Sequence, residues 1–318
     1  MATSSLSPTA ATQQGRRPLT MTLTVIGWSV LILFAALEIF PFVFTVANSF
    51  KCLPAVQTYP RSIIPVPPFG VQCETDEGVS RSPSEVSGTA TFNPTLDGYK
   101  EIADADLPRW LYNTAIFAVA ITIARLAFDS LAGYALARLK FPGNRLLFFV
   151  ILGTMMVPAI VLLIPRFIIL KQMNMLNTYG GLIVPLSVDA FGIFLMKQFF
   201  ESIPSEIEEA ALVDGANRFT LFFRVVLPMA TPALTALAIF SFQGSWNDFM
   251  MPLIILSGNN KLWTLTLGLS YLRGAYGETL RWHAFLAGSV LTTLPLALIF
   301  FYFQRYFVEG ISYSGLKG

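Results

Sequence analysis

Six long apolar runs constrain this chain more than any other feature of its sequence. The first run, Leu23 to Phe50, contains a single charged residue, Glu38. Each run reaches the ~20 residues that an α-helix needs to cross ~30 Å of hydrocarbon. The other five runs are Trp110–Leu136, Leu146–Leu170, Gly180–Phe200, Val225–Leu256 and Trp282–Phe303. The pattern predicts an all-α, polytopic membrane protein with six transmembrane helices.

The composition agrees with a membrane protein and excludes several other classes. Only 13% of the 318 residues are charged, whereas a soluble domain carries roughly 25%. A soluble enzyme, a nucleic-acid-binding protein and a disordered linker are therefore excluded, and lipid is the expected surrounding. The formal net charge of +2 is too small to indicate a polyanionic partner. Two Cys and one His cannot supply the roughly four ligands of a zinc cluster, so no metal site is expected.

A polar segment, residues 51–108, separates the first apolar run from the second. It is rich in Pro, Ser, Thr and Gly and contains no stretch that could cross a bilayer. It also contains both cysteines, Cys52 and Cys73, and a disulfide between them could contribute on the order of 3 kcal/mol by closing a loop of about 22 residues. Two unrelated thiols are the alternative. The predicted divisions are an N-terminal tail at 1–20, a first transmembrane helix at 21–50, this insert at 51–108, a core of transmembrane helices 2–6 at 109–306 and a C-terminal tail at 307–318.

Six helices place both termini on the same side of the membrane. The basic residues of the connecting segments divide ten and ten between the two sides, but five of the outer ten lie in the insert. Basic residues far from a helix end count less in the positive-inside rule. Discounting them favours cytoplasmic termini and an extracytoplasmic insert, where a disulfide would persist.

One hydrophilic connection, residues 203–228, is longer than a simple turn between two membrane helices. Ser205 to Glu208 has the pattern of a capping box and predicts a helix start. Gly215 stands where a left-handed residue would end that helix. A second short helix is expected from Asn217 to Val226, with Pro228 opening the fifth membrane helix.

Such a helix–turn–helix on the membrane surface has two interpretations. Small residues at Ala210 and Ala211 would allow close approach, which suits docking into a cleft of another protein. The alternative is a surface-lying amphipathic hairpin without a partner. The residues alone do not separate the two.

The same connection resembles the EAA loop of ABC importer permeases. Glu209-Ala210-Ala211, three further residues, Gly215, nine residues and then Val225 to Pro228 follow the spacing of that loop throughout. The one departure is Val225, where Ile is usual. The chain is therefore identified as a member of the ABC importer permeases, with the type I permease fold that this implies.

Other segments are similar to the carbohydrate branch of that family, specifically the second membrane subunit of maltose- and trehalose-type importers. The resemblance covers about residues 20–50 and 92–318, and the insert is longer than the family's usual first loop. The segments that carry it are Ala132–Gly143, Met156–Pro158, Ile164-Pro165, Leu176–Leu182, Trp246–Phe249 and Gln304–Gly318.

The resemblance implies a coupling helix from Glu208 to Gly215. In it Glu209 would pair with a basic residue of an ATP-binding subunit, Ala210 and Ala211 would pack closely, and Asp214-Gly215 would form the turn. The chain has no Gly-Lys pair and hence no phosphate-binding loop. It is thus expected to be no enzyme and to bind no cofactor, with ATP and Mg²⁺ on partner subunits.

The implied partners are a second homologous permease subunit, two ATP-binding subunits and an extracytoplasmic solute-binding protein that delivers a sugar. The implied location is a bacterial or archaeal cell membrane. The C-terminal residues 309–318 are rich in Gly and Ser, which by itself suggests a disordered end. In maltose-type relatives the corresponding tail contacts the ATPase dimer, and the resemblance implies the same here.

Charged residues within the apolar runs are candidates for function because charge is costly inside a bilayer. Asp189 and Asp248 occur near aromatic residues, and Trp246 and Asn247 adjoin Asp248. Carboxylate and amide groups beside aromatic rings suit sugar recognition, so these four residues are candidates for the substrate pathway. The alternative is hydrogen bonding between helices inside the bundle.

Two further charged sites are expected to be structural. Arg125 and Asp129 lie four residues apart on one helix face, where they could neutralise each other. His283, at the start of the sixth run, is expected to be an interface residue rather than a proton relay.

Two other classes compete with an ABC permease. A proton- or ion-coupled secondary transporter would use intramembrane aspartates, but no internal repeat is evident in the sequence and that class leaves residues 203–228 unexplained. A membrane-embedded enzyme would need a polar catalytic set, and the chain has one His and neither a metalloprotease motif nor a nucleophile elbow.

Overall fold

A computed structural model of the protein describes residues 18–58, 94–274 and 281–315, and every regular element in these ranges is helical. The all-α prediction is confirmed. The helices are α1 Pro18–Ser49, α2 Leu53–Thr58, α3 Asp97–Asp104, α4 Leu107–Arg138, α5 Asn144–Met155, α6 Leu163–Gln172, α7 Tyr179–Leu186, α8 Ala190–Ser202, α9 Ser205–Val213, α10 Arg218–Leu221, α11 Leu227–Met229, α12 Thr231–Trp246, α13 Met250–Ile255, α14 Leu265–Gly274 and α15 Trp282–Gly315. Short 3₁₀ helices occupy Ala159–Leu162 and Asn260–Leu262, and a π-helical turn occupies Phe222–Val226.

Within the described ranges, three helices are long and apolar enough to cross a bilayer unaided: Leu23–Ser49 in α1, all of α4, and Trp282–Phe303 in α15. Three further spans are pairs of bent segments. The bend is 96° between α5 and the segment that ends with α6, 40° between α7 and α8, and 77° between Arg218–Met229 and α12. Counting each pair as one span gives the six predicted crossings.

The fifth apolar run was predicted to be one span from Val225 to Leu256, and it is not a single continuous helix. Its membrane helix α12 begins at Thr231, after the bend, and ends at Trp246. The chain breaks at Asp248, whose Oδ1 accepts the backbone N–H of Met251 at 3.3 Å. That side chain satisfies a donor that the start of α13 would leave unpaired, so the helix can end within apolar sequence.

The C-terminal tail, whose composition by itself suggests disorder, is helical over the part that the structure describes. Helix α15 continues without interruption to Gly315. Extending an existing helix adds one hydrogen bond for each residue fixed, whereas a new helix needs a costly nucleus. Because the tail directly follows the membrane-spanning part of α15, it can extend that helix although it contains Gly and Ser.

Helix α4 lies at the centre of the bundle, packed between α8 and α12. Its backbone approaches that of α8 closely at two glycines. A Cβ added at Gly133 would lie 2.8 Å from Met196 Cβ and 2.9 Å from the backbone nitrogen of Lys197. A Cβ added at Gly192 would overlap the Asp129 carboxylate. Small residues at helix contacts are typical of membrane bundles, where close packing stabilises helix association.

Buried apolar side chains form three clusters around α4. The first joins α4 and α8 to residues 203–230, the second joins α3, α4, α12 and α14, and the third joins α4, α6, α7, α13 and α14. Helix α1 packs on α15, and its side chains from Leu23 to Phe42 are exposed. The first cluster matters for function because it fastens residues 203–230 to the membrane helices.

Candidate functional site

The connection between the fourth and fifth spans, here called the coupling segment (residues 203–229), begins with α9. This helix starts at Ser205 as predicted, but Pro204 occupies the N-cap and no side chain caps the helix. The predicted capping box is therefore wrong. The reason is that Glu208 points into the protein, where its side chain is only 8% exposed.

Glu208 forms an ion pair with Arg138, the last residue of α4. Their Oε1 and Nε atoms are 2.9 Å apart, and the Arg138 side chain is 14% exposed. The same guanidinium donates to the carbonyl oxygens of Phe200, at 2.6 Å, and Ile203. Arg138 thereby ties the end of α4 to the end of α8 and to α9. Arg138 was not among the predicted site residues, although it lies in one of the segments that carry the family resemblance.

The turn after α9 has the geometry expected from its sequence. Gly215 has a φ of +87°, in the left-handed region. Its N–H bonds to the carbonyl of Leu212 at 3.1 Å, and the N–H of Ala216 bonds to the carbonyl of Ala211 at 3.0 Å. These two bonds form a Schellman motif, which satisfies the last carbonyls of the helix. Asp214 occupies the C-cap position.

The second helix of the coupling segment starts as predicted and runs three residues further. Asn217 is its N-cap, with Oδ1 accepting the Thr220 N–H at 2.8 Å. The helix continues through the π-helical turn to Met229, so the fifth membrane helix does not open at Pro228. The π-helical turn buries Phe222 and Val226 in the first apolar cluster.

The opposite face of the coupling segment is exposed. Glu209, Ala210, Asp214 and Gly215 are exposed and Ala211 is half-buried, so of the six residues predicted for coupling only Glu208 is inaccessible. Two apolar side chains that the sequence analysis did not single out stand beside them: Val213 is 87% exposed and Phe219 is 76% exposed. A mixed apolar and acidic surface of this kind is suited to protein contact.

The structure brings two of the four predicted pathway residues together. Asp189 and Asp248 line one cavity of about 310 Å³, and Arg125 and Arg166 line it as well. The cavity lies between the break that separates α7 from α8, the break that separates α12 from α13, and residues 159–166 around the start of α6. Among membrane helices, irregular backbone is tolerated only inside the protein or along a water-filled cavity.

Trp246 and Asn247 do not line this cavity. Trp246 is buried in the second apolar cluster, where its ring stacks on Phe242 at 5.4 Å between centroids. Its Nε1 donates to the carbonyl of Thr292 at 3.1 Å. Asn247 is exposed. The Trp246 side chain thus packs α12 against α15.

Arg125 and Asp129 form no direct ion pair. Arg125 Nε donates to the carbonyl of Leu186 at 2.8 Å, and Asp129 Oδ1 accepts the backbone N–H of Asp189 at 3.0 Å. Both side chains hydrogen-bond the backbone around the α7–α8 break, which has polar groups left unpaired by the break itself. Their shared role is to hold that break against α4.

His283 lies at the contact between α15 and α3. It is buried at the start of α15, and its Nε2 lies 2.6 Å from Oε2 of Glu101 on α3. Arg281 pairs with the other carboxylate oxygen of Glu101. The cluster fixes α3 of the insert to the top of the last membrane helix.

The first cysteine lies at a well-packed position just beyond α1. Cys52 is buried and is not a free thiol, whereas Cys73 lies outside the described residues, so the pairing of the two stays a prediction. Next to it, burial lowers the pKa of Lys51, whose Nζ donates to Asn48 Oδ1 at 2.7 Å. Among residues 18–58, 94–274 and 281–315, no group of three or more His, Cys, Asp or Glu could hold a metal ion.

Comparison with known proteins decides the family. The model of the family described as binding-protein-dependent transport system inner membrane component matches residues 129–313, which include the coupling segment and most of the cavity. The chain belongs to this family. The inner membrane component described here therefore works as part of a transporter complex with other subunits.

Two relatives and one solved structure show how far the similarity of this inner membrane component extends. It is 36% identical over 235 residues to the arabinooligosaccharides transport system permease protein AraQ of Halalkalibacterium halodurans, covering 72% of this chain and 83% of that protein. It is 35% identical over 211 residues to the diacetylchitobiose uptake system permease protein NgcG of Streptomyces coelicolor, covering 66% and 70%. A bacterial ABC transporter that imports alginate has a chain with the same fold, with a TM-score of 0.74 and 22% identity over 93% of this chain and all of that one.

Proposed function

We propose that this chain translocates a carbohydrate, most simply a disaccharide or oligosaccharide, that an extracytoplasmic binding protein delivers and that ATP hydrolysis on partner subunits drives across the membrane. Two of the permeases similar to it are named for arabinooligosaccharides and diacetylchitobiose, which are both short sugar chains. The observation that carries the proposal is the coupling segment, which is fastened on one face by the Arg138–Glu208 ion pair and exposed on the other.

The two faces of the coupling segment have separate roles in this mechanism. Glu209, Ala210, Val213 and Phe219 form the contact surface for an ATP-binding subunit, with Glu209 pairing with a basic residue there. Glu208 is a positioning residue, because its carboxylate is committed to Arg138. Movement of the ATP-binding subunits against the exposed face is passed through the buried face to α4 and α8, which line the membrane path.

The remaining parts of the transporter follow from the same proposal. ATP and Mg²⁺ reside on two ATP-binding subunits, and a second homologous permease completes the membrane path. Both termini are cytoplasmic, so the insert at 51–108 faces the binding protein and the end of α15 faces the ATP-binding subunits. A disulfide between Cys52 and Cys73 would close the insert.

Co-purification tests the contact surface. The tagged chain is expressed with its ATP-binding subunits, and retention of these subunits is compared between wild type and a Val213→Asp/Phe219→Asp variant. Two buried charges on the contact surface should release the ATP-binding subunits. Leu96→Asp is the matched control, because Leu96 is 55% exposed and lies on the opposite side of the membrane in this proposal.

Either of two results would contradict the proposal. The double variant could retain the ATP-binding subunits as fully as wild type, which would show that Val213 and Phe219 are not part of the contact surface. Alternatively, no ATP-binding subunit could co-purify with wild type while sugar uptake follows a proton or sodium gradient. That second result would make the chain a secondary transporter.

A further inference from the structure

The cavity lined by Asp189 and Asp248 carries more polar chemistry than the sequence indicated. Arg125 from α4 and Arg166 from α6 also line it. Its volume of about 310 Å³ lies at the lower end of the roughly 300–1,000 Å³ that small-molecule sites occupy. A site of this size suits one ring of a sugar chain rather than a whole oligosaccharide.

The four charged side chains are half-buried, yet no ion pair joins them. The ion pairs seen in the described part of the chain all lie elsewhere. Arg125 uses its Nε for the carbonyl of Leu186, and Arg166 Nη1 reaches only the sulfur of Met251, at 3.9 Å. Both guanidinium groups therefore keep hydrogen-bond donors, and both carboxylates keep acceptors, that could bind a ligand.

Charged groups within the membrane are costly unless something pairs with them. Arginine can only donate hydrogen bonds and an ionised carboxylate can only accept them. A hydroxyl group does both, so neighbouring hydroxyls of one ring could satisfy the two kinds of group together. Two arginines and two aspartates also have no net formal charge, which favours a neutral ligand over an anion. Leu163, Pro185 and Leu186 add apolar wall to the same cavity, and this suits the C–H surface of a sugar ring.

We infer that Arg125, Arg166, Asp189 and Asp248 form a binding site for one neutral, hydroxyl-rich sugar ring of the cargo, so that this subunit contacts the cargo directly. The inference rests on the proposed function and adds two specificity-determining residues, Arg125 and Arg166, to it. The arginines donate to ring hydroxyls, the aspartates accept from them, and the apolar wall orients the ring.

Substrate protection tests the site without requiring transport. Ala159 lines the cavity, so the assembled transporter in nanodiscs is prepared with Ala159→Cys and alkylated with N-ethylmaleimide. Modification at residue 159 is followed by mass spectrometry with arabinotriose, diacetylchitobiose or glycerol 3-phosphate present. With the sugar at about ten times its dissociation constant, at least one of the two neutral sugars should slow alkylation about tenfold, because only the unoccupied fraction of the site reacts. Adding Arg166→Gln should abolish the protection.

A control on the same helix separates the site from general effects of removing charge. Lys171 is exposed near the end of α6 and does not line the cavity. Lys171→Gln should leave protection unchanged. Arg166→Lys, which keeps the charge but loses the planar fork of donors, should restore only part of it.

The outcomes separate this inference from the proposed function. Protection by glycerol 3-phosphate alone would show that the arginines bind an anion and would overturn the assignment to a neutral ring. Equal alkylation rates with and without each sugar would contradict the binding site. The permease function would still stand if the same preparation, reconstituted into vesicles, showed ATP-dependent sugar uptake. Protection without any ATP-dependent uptake would leave the site in place and contradict the permease function.

Discussion

The ion pair between Arg138 and Glu208 is the joint through which the coupling segment is attached, and replacing Arg138 with Met tests this directly. The change would leave the Glu208 carboxylate, 8% exposed, without its partner. It would also leave the carbonyls of Phe200 and Ile203 without their shared donor. Removing one member of a buried ion pair costs about 3–5 kcal/mol. At the lower end this is about a hundredfold change in an opening equilibrium.

Amide hydrogen exchange of the assembled transporter measures that equilibrium locally. Amides of α9 and its turn, which include the bonded N–H groups of Gly215 and Ala216, should exchange about a hundredfold faster in Arg138→Met. The matched control is Arg145→Met in the first turn of the neighbouring helix α5. Arg145 is exposed and lies over the Phe149 ring at 5.7 Å, so its loss should leave α9 exchange unchanged.

A double-mutant cycle sharpens this prediction. In Arg138→Met/Glu208→Met two apolar side chains replace the ion pair, and such replacements are often neutral or stabilising. Exchange in the double variant should therefore be slower than in Arg138→Met alone. The reasoning would be refuted by unchanged exchange in Arg138→Met, or by a double variant whose loss equals the sum of the two single losses.

Three further predictions concern stability and are measured as thermal unfolding of the purified transporter. Gly215→Val should lower the free energy of unfolding by about 1–2 kcal/mol because residue 215 has a left-handed backbone. Steric overlap does not contribute, since a Cβ there would meet nothing within 4 Å. An equal effect of Gly215→Asn would contradict this reason. Gly133→Val should cost about 1–3 kcal/mol by overpacking α4 against α8, and an unchanged melting temperature would show that this contact can relax. Thr114→Val should cost about 1–3 kcal/mol because Thr114 Oγ1 accepts the buried N–H of Leu265 at 2.8 Å, whereas Thr293→Val, at an exposed position, should have little effect.

The number and order of the membrane spans could be predicted from the sequence because lipid admits only segments that satisfy their own backbone hydrogen bonds. The left-handed turn at Gly215 could be predicted for a similarly local reason, since glycine adopts positive φ without steric cost. The end of α12 could not. Apolar residues continue across Asp248, so hydropathy does not reveal that the backbone breaks there.

The candidate sites were only partly predictable because side-chain direction and distant pairing are not local properties. Trp246 and Asp248 are two residues apart, and residues at that spacing do not face the same side of a helix. Their closeness in sequence therefore does not bring Trp246 into the cavity that Asp248 lines. Arg138 and Glu208 are seventy positions apart, and no periodic pattern relates them. They become neighbours only because the last residue of α4 lies beside the end of α8 in the folded protein.

The central claim is that the coupling segment joins ATP hydrolysis on partner subunits to transport by this chain. The most direct measurement is ATP hydrolysis by the assembled transporter in nanodiscs, with and without sugar-loaded binding protein, for wild type and Gly215→Pro. Proline requires a negative φ near −65°, which the observed +87° excludes. The account predicts that loaded binding protein stimulates hydrolysis in wild type and fails to do so in an assembled Gly215→Pro complex. Full stimulation in that variant would contradict it.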